Sequence, residues 1–376
     1  MSLNSKVAVV VDALSILGGS EKVLMAALEL FPEAPIYTLL YNRDIFAHTP
    51  LAYRKVISSF IERLPFAYTH YRKYLPLMPY AIQHFDLSDY DTILSLSYAV
   101  AHGVKVHPGQ KHFSYTYTPM RYAWRNFGLD GLPRKSTGMD RLFRPFRAWD
   151  LGAARSVDQF AAVSNWIANL VNLTYQQDAR VIYPPVDVER FSPGLERGDY
   201  YITVSRLVPH KRVGLIVDAF SSLGLPLLVV GEGEERQHLE RRAKDNIHFL
   251  GFQSDATVND LLNRARAFVS ASEEDFGIAM VEAQAAGCPV IAYGKGGAPE
   301  IVVENQTGLF FDQPRSDSLV NAIERFLPLR LSSHECAANA ARFNKQRFLS
   351  EIASFVNGNG VTRVDKMLEM SVIEKT

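Results

Sequence analysis

The run Lys6-Val-Ala-Val-Val-Val-Asp12 is apolar at every interior position and rich in β-branched residues. A strand with no polar face cannot lie against water, so the run predicts a parallel strand buried on both sides. A loop holding Gly18-Gly19-Ser20-Glu21 follows, and Lys22–Phe31 then carries helical spacing. Short runs of the same kind recur at Ile36–Leu40, Thr92–Leu96, His112–Thr116 and Gln159–Val163, with a helical stretch at Asn165–Leu173. Strands that alternate with helices favour a parallel sheet covered on both faces.

The segment Tyr183-Pro-Pro-Val-Asp-Val-Glu-Arg-Phe-Ser-Pro-Gly194 interrupts the series with three prolines and a glycine, which marks a connector. A second series then begins. Strand-like runs stand at Tyr200–Val204, Leu227–Gly231, Ile247–Leu250, Ala267–Ser270 and Pro289–Tyr293. Helical segments intervene at Val213–Leu223, Glu234–Lys244, Thr257–Ala265 and Gly277–Gly287. A chain of 376 residues suits two domains. The expected division is 1–190, 195–343 and a 344–376 segment, in which a helix at Asn344–Val356 packs back toward the first domain and a polar tail follows. Two doubly wound halves imply a cleft between them, lined by the loops at the C-terminal ends of the strands.

Composition removes several classes of function. Lysine plus arginine and aspartate plus glutamate both number 40, so the formal charge is zero. That argues against a wholly basic nucleic-acid binder. No run approaches the roughly 20 apolar residues of a membrane span. The stretch Met1–Val11 lacks the apolar core and cleavage site of a secretory signal. Cys288 and Cys336 stand alone, which makes neither a disulfide framework nor a zinc site and sets the expected compartment as the cytoplasm.

Four constellations could carry chemistry. The strongest is Ser272-Glu-Glu-Asp-Phe-Gly-Ile-Ala-Met-Val-Glu-Ala-Gln-Ala-Ala-Gly-Cys-Pro-Val290, where a strand ends, an acidic loop follows and a helix opens near Phe276-Gly277. Its N-terminus offers unpaired N–H groups to an anion. Glu274 and Glu282, with seven residues between them, can accept hydrogen bonds from sugar or ribose hydroxyls. Read alone, the same acids could simply stabilise their helix. The second is Val204-Ser-Arg-Leu-Val-Pro-His-Lys-Arg212, in which Arg206 and Lys211 could neutralise a diphosphate, or form an ordinary solvated basic loop. The third, Val230-Gly-Glu-Gly-Glu-Glu-Arg236, lacks the third glycine of a dinucleotide fingerprint. Gly231 suits a tight turn that lets a ligand approach the backbone. The fourth is Gly18-Gly19, in a loop where phosphate could come close.

Together these residues resemble the retaining GT-B nucleotide-sugar glycosyltransferases of family 4. The likeness covers essentially the whole chain and is most specific from Ser205 to Phe310. Glu274-Asp-Phe-Gly sets the register of the Glu-x7-Glu pattern, leaving Glu273 as a bystander, and Gly297-Ala-Pro-Glu-Ile-Val and Thr307-Gly-Leu-Phe continue it. The resemblance implies an α/β GT-B fold of two Rossmann-like domains with a cleft between them. It implies that Glu274 contacts the donor sugar, Glu282 the ribose, and Arg206 and Lys211 the diphosphate. Backbone at Phe276, Gly277 and Ile278 would face donor phosphate and sugar, and Gly18 and Gly19 would let the first domain approach the donor. Gln253, in Leu250-Gly-Phe-Gln-Ser-Asp255, lies in what looks like the base-binding loop.

The N-terminal half narrows the likeness. Tyr115-Thr-Tyr-Thr-Pro-Met-Arg-Tyr-Ala-Trp124 and Phe85-Asp-Leu-Ser-Asp-Tyr-Asp91 look like bacterial O-antigen and exopolysaccharide mannosyltransferases. Relatives commonly carry histidine where Tyr117 stands, and often where Tyr98 stands. A tyrosine can donate a hydrogen bond but is no base near neutral pH. Tyr98 and Arg121 are expected on the acceptor side, or Tyr98 and Tyr117 are simply packed tyrosines. His102, His107 and His112 lack ligand spacing. Asp89-Tyr-Asp91 matches the Asp-x-Asp of metal-dependent enzymes but precedes its strand, so it reads as a surface turn. No metal and no cofactor is expected, only a nucleotide-sugar co-substrate.

Two segments are basic and aromatic. Arg54–Lys73 and Arg134–Arg147 each hold five basic residues against one acid, a net charge of +4, and eight Tyr or Phe residues lie from Tyr53 to Phe85. Such segments suit an anionic membrane surface, or else a solvated helix face. The expected protein is a peripheral enzyme at the inner face of the cytoplasmic membrane. It would move mannose from GDP-mannose to a lipid-linked oligosaccharide or polysaccharide precursor. The rivals are a GT-B-shaped epimerase, phosphorylase or hydrolase, a non-catalytic scaffold at a membrane, and an NAD enzyme, whose fingerprint is missing.

Overall fold

A computed structural model describes residues 6–124, 138–194 and 196–358. Arg134 and Lys135 of the second basic segment, and the polar tail from 359 onward, lie outside the described residues. The chain divides into two compact units. One comprises residues up to Val163, Ile167–Ile182 and the segment from Phe348, and the other comprises Ser164–Trp166 and Tyr183–Arg347.

The first unit is built on seven strands: β1 (Val7–Val11), β2 (Ile36–Thr38), β3 (Val56–Ser58), β4 (Thr92–Ser97), β5 (Lys111–Thr116), β6 (Gln159–Ala162) and β7 (Ala179–Val181). All neighbours pair in parallel, in the order β3-β2-β1-β4-β5-β6-β7. The second unit has six: β8 (Tyr201–Val204), β9 (Leu227–Val230), β10 (Ile247–Gly251), β11 (Ala267–Ser270), β12 (Val290–Tyr293) and β13 (Gly308–Phe311). They are also parallel, in the order β10-β9-β8-β11-β12-β13. Both are doubly wound sheets. In each, the strand order reverses beside the first strand, at β1/β4 and at β8/β11, where such sheets place ligands.

The continuous apolar runs became the central strands because both of their faces are covered. Every residue of β1 and of β11 is buried. The strands that sequence reading did not find are β3, β7 and β13, each of three or four residues. β3 and β7 are edge strands with half-exposed side chains, so neither shows a full apolar run.

Asp12 directly follows β1 and is 2% exposed. Its Oδ2 accepts from the amides of Tyr98 and Ala99 at 2.6 and 3.0 Å, and its Oδ1 from those of Val100 and Ala101 at 2.5 and 2.8 Å. One carboxylate therefore satisfies the loop that leaves β4. A second buried network continues from it. The Ser97 hydroxyl meets His102 Nδ1 at 3.0 Å, and His102 Nε2 meets Asp150 Oδ1 at 3.0 Å. Asp150 Oδ2 accepts from Trp124 Nε1 and the Tyr175 hydroxyl at 2.6 and 2.8 Å. These contacts tie Trp124 to the helices that carry Asp150 and Tyr175, Gly138–Ala154 and Asn165–Tyr175.

Not all of the basic residues are spent on solvent. The Arg54 guanidinium donates to the carbonyls of Leu28 and Phe31 at 2.9 and 3.0 Å, and also to that of Pro32, closing the end of the Gly19–Leu30 helix. Arg147 donates to the Ala123 carbonyl at 2.8 Å and lies over the Trp124 ring. Arg63, Arg72 and Lys73 are exposed, as are Phe66, Leu77 and Tyr80 at 78%, 40% and 58%.

Replacing Asp12 by alanine would strand four buried amides, each costing about 1–3 kcal/mol when unsatisfied. Asp12→Ala is expected to lower the stability of the first unit by at least about 3 kcal/mol, with Asp12→Asn intermediate. Native-state hydrogen exchange at Tyr98–Ala101 would check this, and unchanged protection there would refute it.

Candidate functional site

β8 and β11 are neighbours, and the loops that leave their C-terminal ends carry the charged residues singled out above. After β8, Arg206 is exposed, and its guanidinium meets no partner among the described residues. Lys211 ends a short turn at Pro209–Lys211. After β11 comes the loop with Ser272 and Glu274. Lys211 Nζ lies 2.7 and 2.8 Å from the two carboxylate oxygens of Glu274. The Ser272 hydroxyl donates to Glu274 Oε1 at 2.5 Å. Both members of the ion pair are only 20% exposed. Burial alone would raise the Glu274 carboxyl, but the Lys211 ammonium and the Ser272 hydroxyl outweigh it and hold the carboxyl below its ordinary value.

Two glycines explain how this loop keeps its shape. A Cβ at Gly297 would stand 2.4 Å from the Phe276 carbonyl oxygen, and the Gly297 amide donates to the Glu274 carbonyl at 2.8 Å. The Gly297-Ala-Pro-Glu stretch thus packs backbone to backbone against the acidic loop. Gly231 has φ +129°, and a Cβ there would lie 1.9 Å from the Ser205 carbonyl oxygen. What Gly231 lets approach is the loop that carries Arg206, not only a ligand.

The Ile278–Ala285 helix begins after Gly277, with Ile278 as its first residue and Glu282 in its second turn. Glu282 Oε1 accepts from Arg190 Nη2 at 2.7 Å. The Phe276 side chain is buried and packs on Tyr183 and Phe343, with ring centroids 5.6 and 5.3 Å away. In the expected base loop, Gln253 Nε2 donates to the Leu250 carbonyl at 2.6 Å, while the neighbouring Phe252 is 82% exposed.

The remaining candidates belong to the first unit. Gly18 precedes the Gly19–Leu30 helix, and its amide donates to Glu21 Oε2 at 2.9 Å, the one half of a capping box that a glycine cap allows. Tyr98 and Tyr117 line a cavity of about 10 Å³ with Asp12, Ser20 and Glu21. That is about the space one water requires. The Tyr117 hydroxyl donates to the Ser20 carbonyl at 3.1 Å. Burial, reinforced by Tyr115, Glu21 and Asp12, pushes that hydroxyl well above the usual tyrosine value, so it remains a donor. Burial does the same to Tyr98, whose carbonyl accepts from the Arg121 amide at 3.1 Å.

The histidines and the Asp-x-Asp stretch have other duties. His112 is buried beside Ser95, and burial together with His102 lowers its pKa to about 3, so it is neutral at physiological pH. Asp89 and Asp91 are exposed, and Asp91 accepts from the Lys6 amide at 2.8 Å.

Sequence reading missed three polar residues that shape these sites. Glu21 had a signal, since a glutamate three residues after a helix cap is a recognised pattern. Asp12 had half of one, as the polar end of an apolar strand. Arg190 had none, because its partner lies 92 residues away.

Residues 186–343 match the family model Glycosyl transferases group 1. They contain all of β8–β13 and every second-unit candidate. Over 217 residues the chain is 30% identical to a GDP-mannose-dependent alpha-(1-6)-phosphatidylinositol monomannoside mannosyltransferase of Mycobacterium tuberculosis, a match covering 48% of this chain and 56% of that one. Matches to curated relatives span 34% to 62% of those proteins' lengths. Sucrose-phosphate synthase from Thermosynechococcus elongatus is similar in structure, with a TM-score of 0.74 at 18% identity, covering 94% of this chain and 99% of that one. Anabaena Alr3699/HepE in complex with UDP-glucose has a TM-score of 0.67 at 18% identity, covering 94% and 100%. The fold is therefore GT-B, with two parallel-sheet α/β domains of Rossmann type.

Lys211→Met would leave Glu274 without its cation, and the carboxyl is then expected to titrate above its ordinary value of 4.5. Because the wild-type carboxyl is held below that value, the pair's stabilisation is complete above the unfolded-state pKa and is lost as pH falls through the folded one. The stability gap between wild type and variant should narrow as the pH falls from 7 toward 3. Carbon-13 NMR of the glutamate carboxyls, with denaturation across that range, checks both statements. An unmoved Glu274 resonance would contradict the first.

Proposed function

We propose that the chain is a glycosyltransferase that moves a sugar from a nucleoside diphosphate donor to a hydroxyl acceptor. The observation that carries this reading is the Lys211–Glu274 pair on adjoining β8 and β11 loops, inside the segment that matches the glycosyltransferase model. A diphosphate is a stronger partner for Lys211 than a single carboxylate. Its arrival would draw Lys211 away and leave Glu274 to accept hydrogen bonds from sugar hydroxyls. Exposed Arg206 supplies a second cation.

In the proposed reaction the acceptor oxygen bonds to the anomeric carbon as the bond from that carbon to the donor phosphate breaks. The acceptor's proton passes to the departing phosphate oxygen. Attack on the face from which the phosphate leaves retains configuration, and Arg206 and Lys211 balance the charge gained by the diphosphate without a metal. Glu274 organises charge and is not a nucleophile. Glu282 takes the ribose, and the Phe276–Ile278 backbone faces the donor. Gly18 and Gly19 allow the first domain's loop to approach. Gly231 holds the Arg206 loop in place, and Gln253 shapes the base loop. Tyr117 contributes as a fixed donor and not as a base, with Tyr98 and Arg121 on the acceptor side.

The finer reading is a family 4 mannosyltransferase using GDP-mannose and a lipid-linked or polysaccharide acceptor. It is supported by the mannosyltransferase relative at 30% identity. The proposed location is the cytoplasmic face of the membrane. No helix among the described residues is long and apolar enough to cross a membrane. Exposed Phe66, Leu77 and Tyr80, near Arg63, Arg72 and Lys73 in sequence, are the residues we assign to contact with an anionic surface.

A thermal-shift panel of GDP, UDP and ADP with their sugars should show stabilisation by one nucleotide class, since a ligand bound to the folded state raises its apparent stability. Alanine at Glu274, Arg206 or Lys211 is expected to cut transfer at least about a hundredfold, the scale of losing one charge-stabilising group. Near wild-type rates for the Glu274 and Lys211 variants would refute the site. Release of free sugar or an isomer without acceptor would favour a hydrolase or epimerase instead.

Membrane docking has its own check. The protein should sediment with anionic vesicles at low salt, and Arg72→Glu with Lys73→Glu should abolish that binding. Failure of the wild type to bind would remove the membrane from the proposal.

A further inference from the structure

Arg190 lies in the connector before β8, and its guanidinium spans two carboxylates from two helices. Nη2 donates to Glu282 Oε1 at 2.7 Å, and Nη1 donates to Asp255, the first residue of the Asp255–Arg264 helix. The Arg190 side chain is 24% exposed and that of Glu282 15%, whereas Asp255 is 74% exposed. The guanidinium carbon lies 4.6 Å from the centre of the Phe191 ring. Planar arginine is suited to this combination of forked donation and ring contact.

The connector is also fastened through its main chain. Asn259 Nδ2 donates to the Arg190 carbonyl at 3.3 Å, and Asn263 Nδ2 donates to the Ser192 carbonyl at 2.8 Å. Both contacts engage main-chain carbonyls and do not involve the Arg190 side chain. The guanidinium therefore has a separate effect, which is to fix one oxygen of Glu282. A glutamate has several rotatable bonds, and an unrestrained one loses that freedom when it binds a ligand. One already held by a fixed cation has lost it beforehand, and its carboxylate, which only accepts hydrogen bonds, is aimed in advance.

We propose that Arg190 is a positioning residue for ribose recognition, holding Glu282 so that its carboxylate meets the ribose hydroxyls of the nucleoside diphosphate. This rests on the assignment of Glu282 to the ribose under the proposed function. Asp255 is the second anchor that keeps the guanidinium in place.

The test compares GDP, UDP and ADP, each with its 2′-deoxy form, by titration calorimetry on the full chain. Wild type is expected to bind the ribose form of its preferred nucleotide about tenfold more tightly, the scale of one hydrogen bond to a charged group. Glu282→Gln should bring the two forms to near equality. Arg190→Met, which keeps the aliphatic stem, should reduce the ratio to about threefold or less, and Arg190→Lys should recover part of it. Asp255→Asn, at an exposed position where folding is not at stake, should lower the ratio to a smaller extent. Retention of the wild-type ratio in Arg190→Met and Asp255→Asn, while Glu282→Gln loses it, would overturn the role of Arg190 and leave the ribose assignment standing. If wild type shows no preference, binds none of the three nucleotides, or keeps its preference in Glu282→Gln, the ribose assignment falls and the proposal with it.

Discussion

A strand buried on both faces can carry neutral polar groups only where they are hydrogen-bonded, as Ser95 and His112 are, and no free charge until it ends, and this constraint organises both units. Charge is pushed to the strand termini and the loops beyond them. Asp12 stands one residue past β1 and collects four amides of the β4 loop. Glu274 stands four residues past β11 and takes Lys211 from the β8 loop. In both units the polar cluster sits where the strand order reverses, because there the loops diverge and leave room between them.

The two clusters solve different problems. Asp12 is sealed, and its donors are backbone groups that cannot move away, so it is a structural fixture. The Lys211–Glu274 pair is partly open and joins two side chains, each of which can exchange its partner. A buried pair that merely stabilised the fold would be of little net benefit over apolar packing. Under the proposed function, a pair that an incoming diphosphate could open would keep both groups oriented until then. Arg190 holds one oxygen of Glu282 in a different way, since the proposal has it remain in place when the ligand binds. On the proposed function, Lys211 and Glu274 are each oriented by the other until the donor arrives.

The glycines show how much of this was legible and how much was not. Gly231 and Gly297 both stood in recognisable stretches, and ligand approach was the natural reading for the first. Their surroundings show that each is required by another stretch of backbone, at Ser205 and at Phe276. A sequence pattern records that a side chain is forbidden and does not record which atom forbids it. The basic segments teach the same point. Arg54 and Arg147 count toward a +4 charge in each segment, yet both donate to main-chain carbonyls. The edge strands β3 and β7 escaped because their half-exposed side chains show no full apolar run, and β13 lay in a stretch, Thr307-Gly-Leu-Phe, that was read for its motif and not as a strand.

What the sequence determined by itself was the doubly wound alternation in two series and the placing of Arg206, Lys211, Glu274 and Glu282 in loops or early helical turns after strands. Those are local properties, set by burial period, by turn residues and by neighbours a few positions away. Which charge meets which was decided only by the tertiary structure. Lys211 and Glu274 are 63 residues apart, Arg190 and Glu282 are 92 apart, and Asp12 reaches its amides across 86 to 89. The pairing follows from strand order, since β8 lies beside β11 and β1 beside β4. Strand order arises from how helices and sheet pack together as a whole, and no local spacing encodes it.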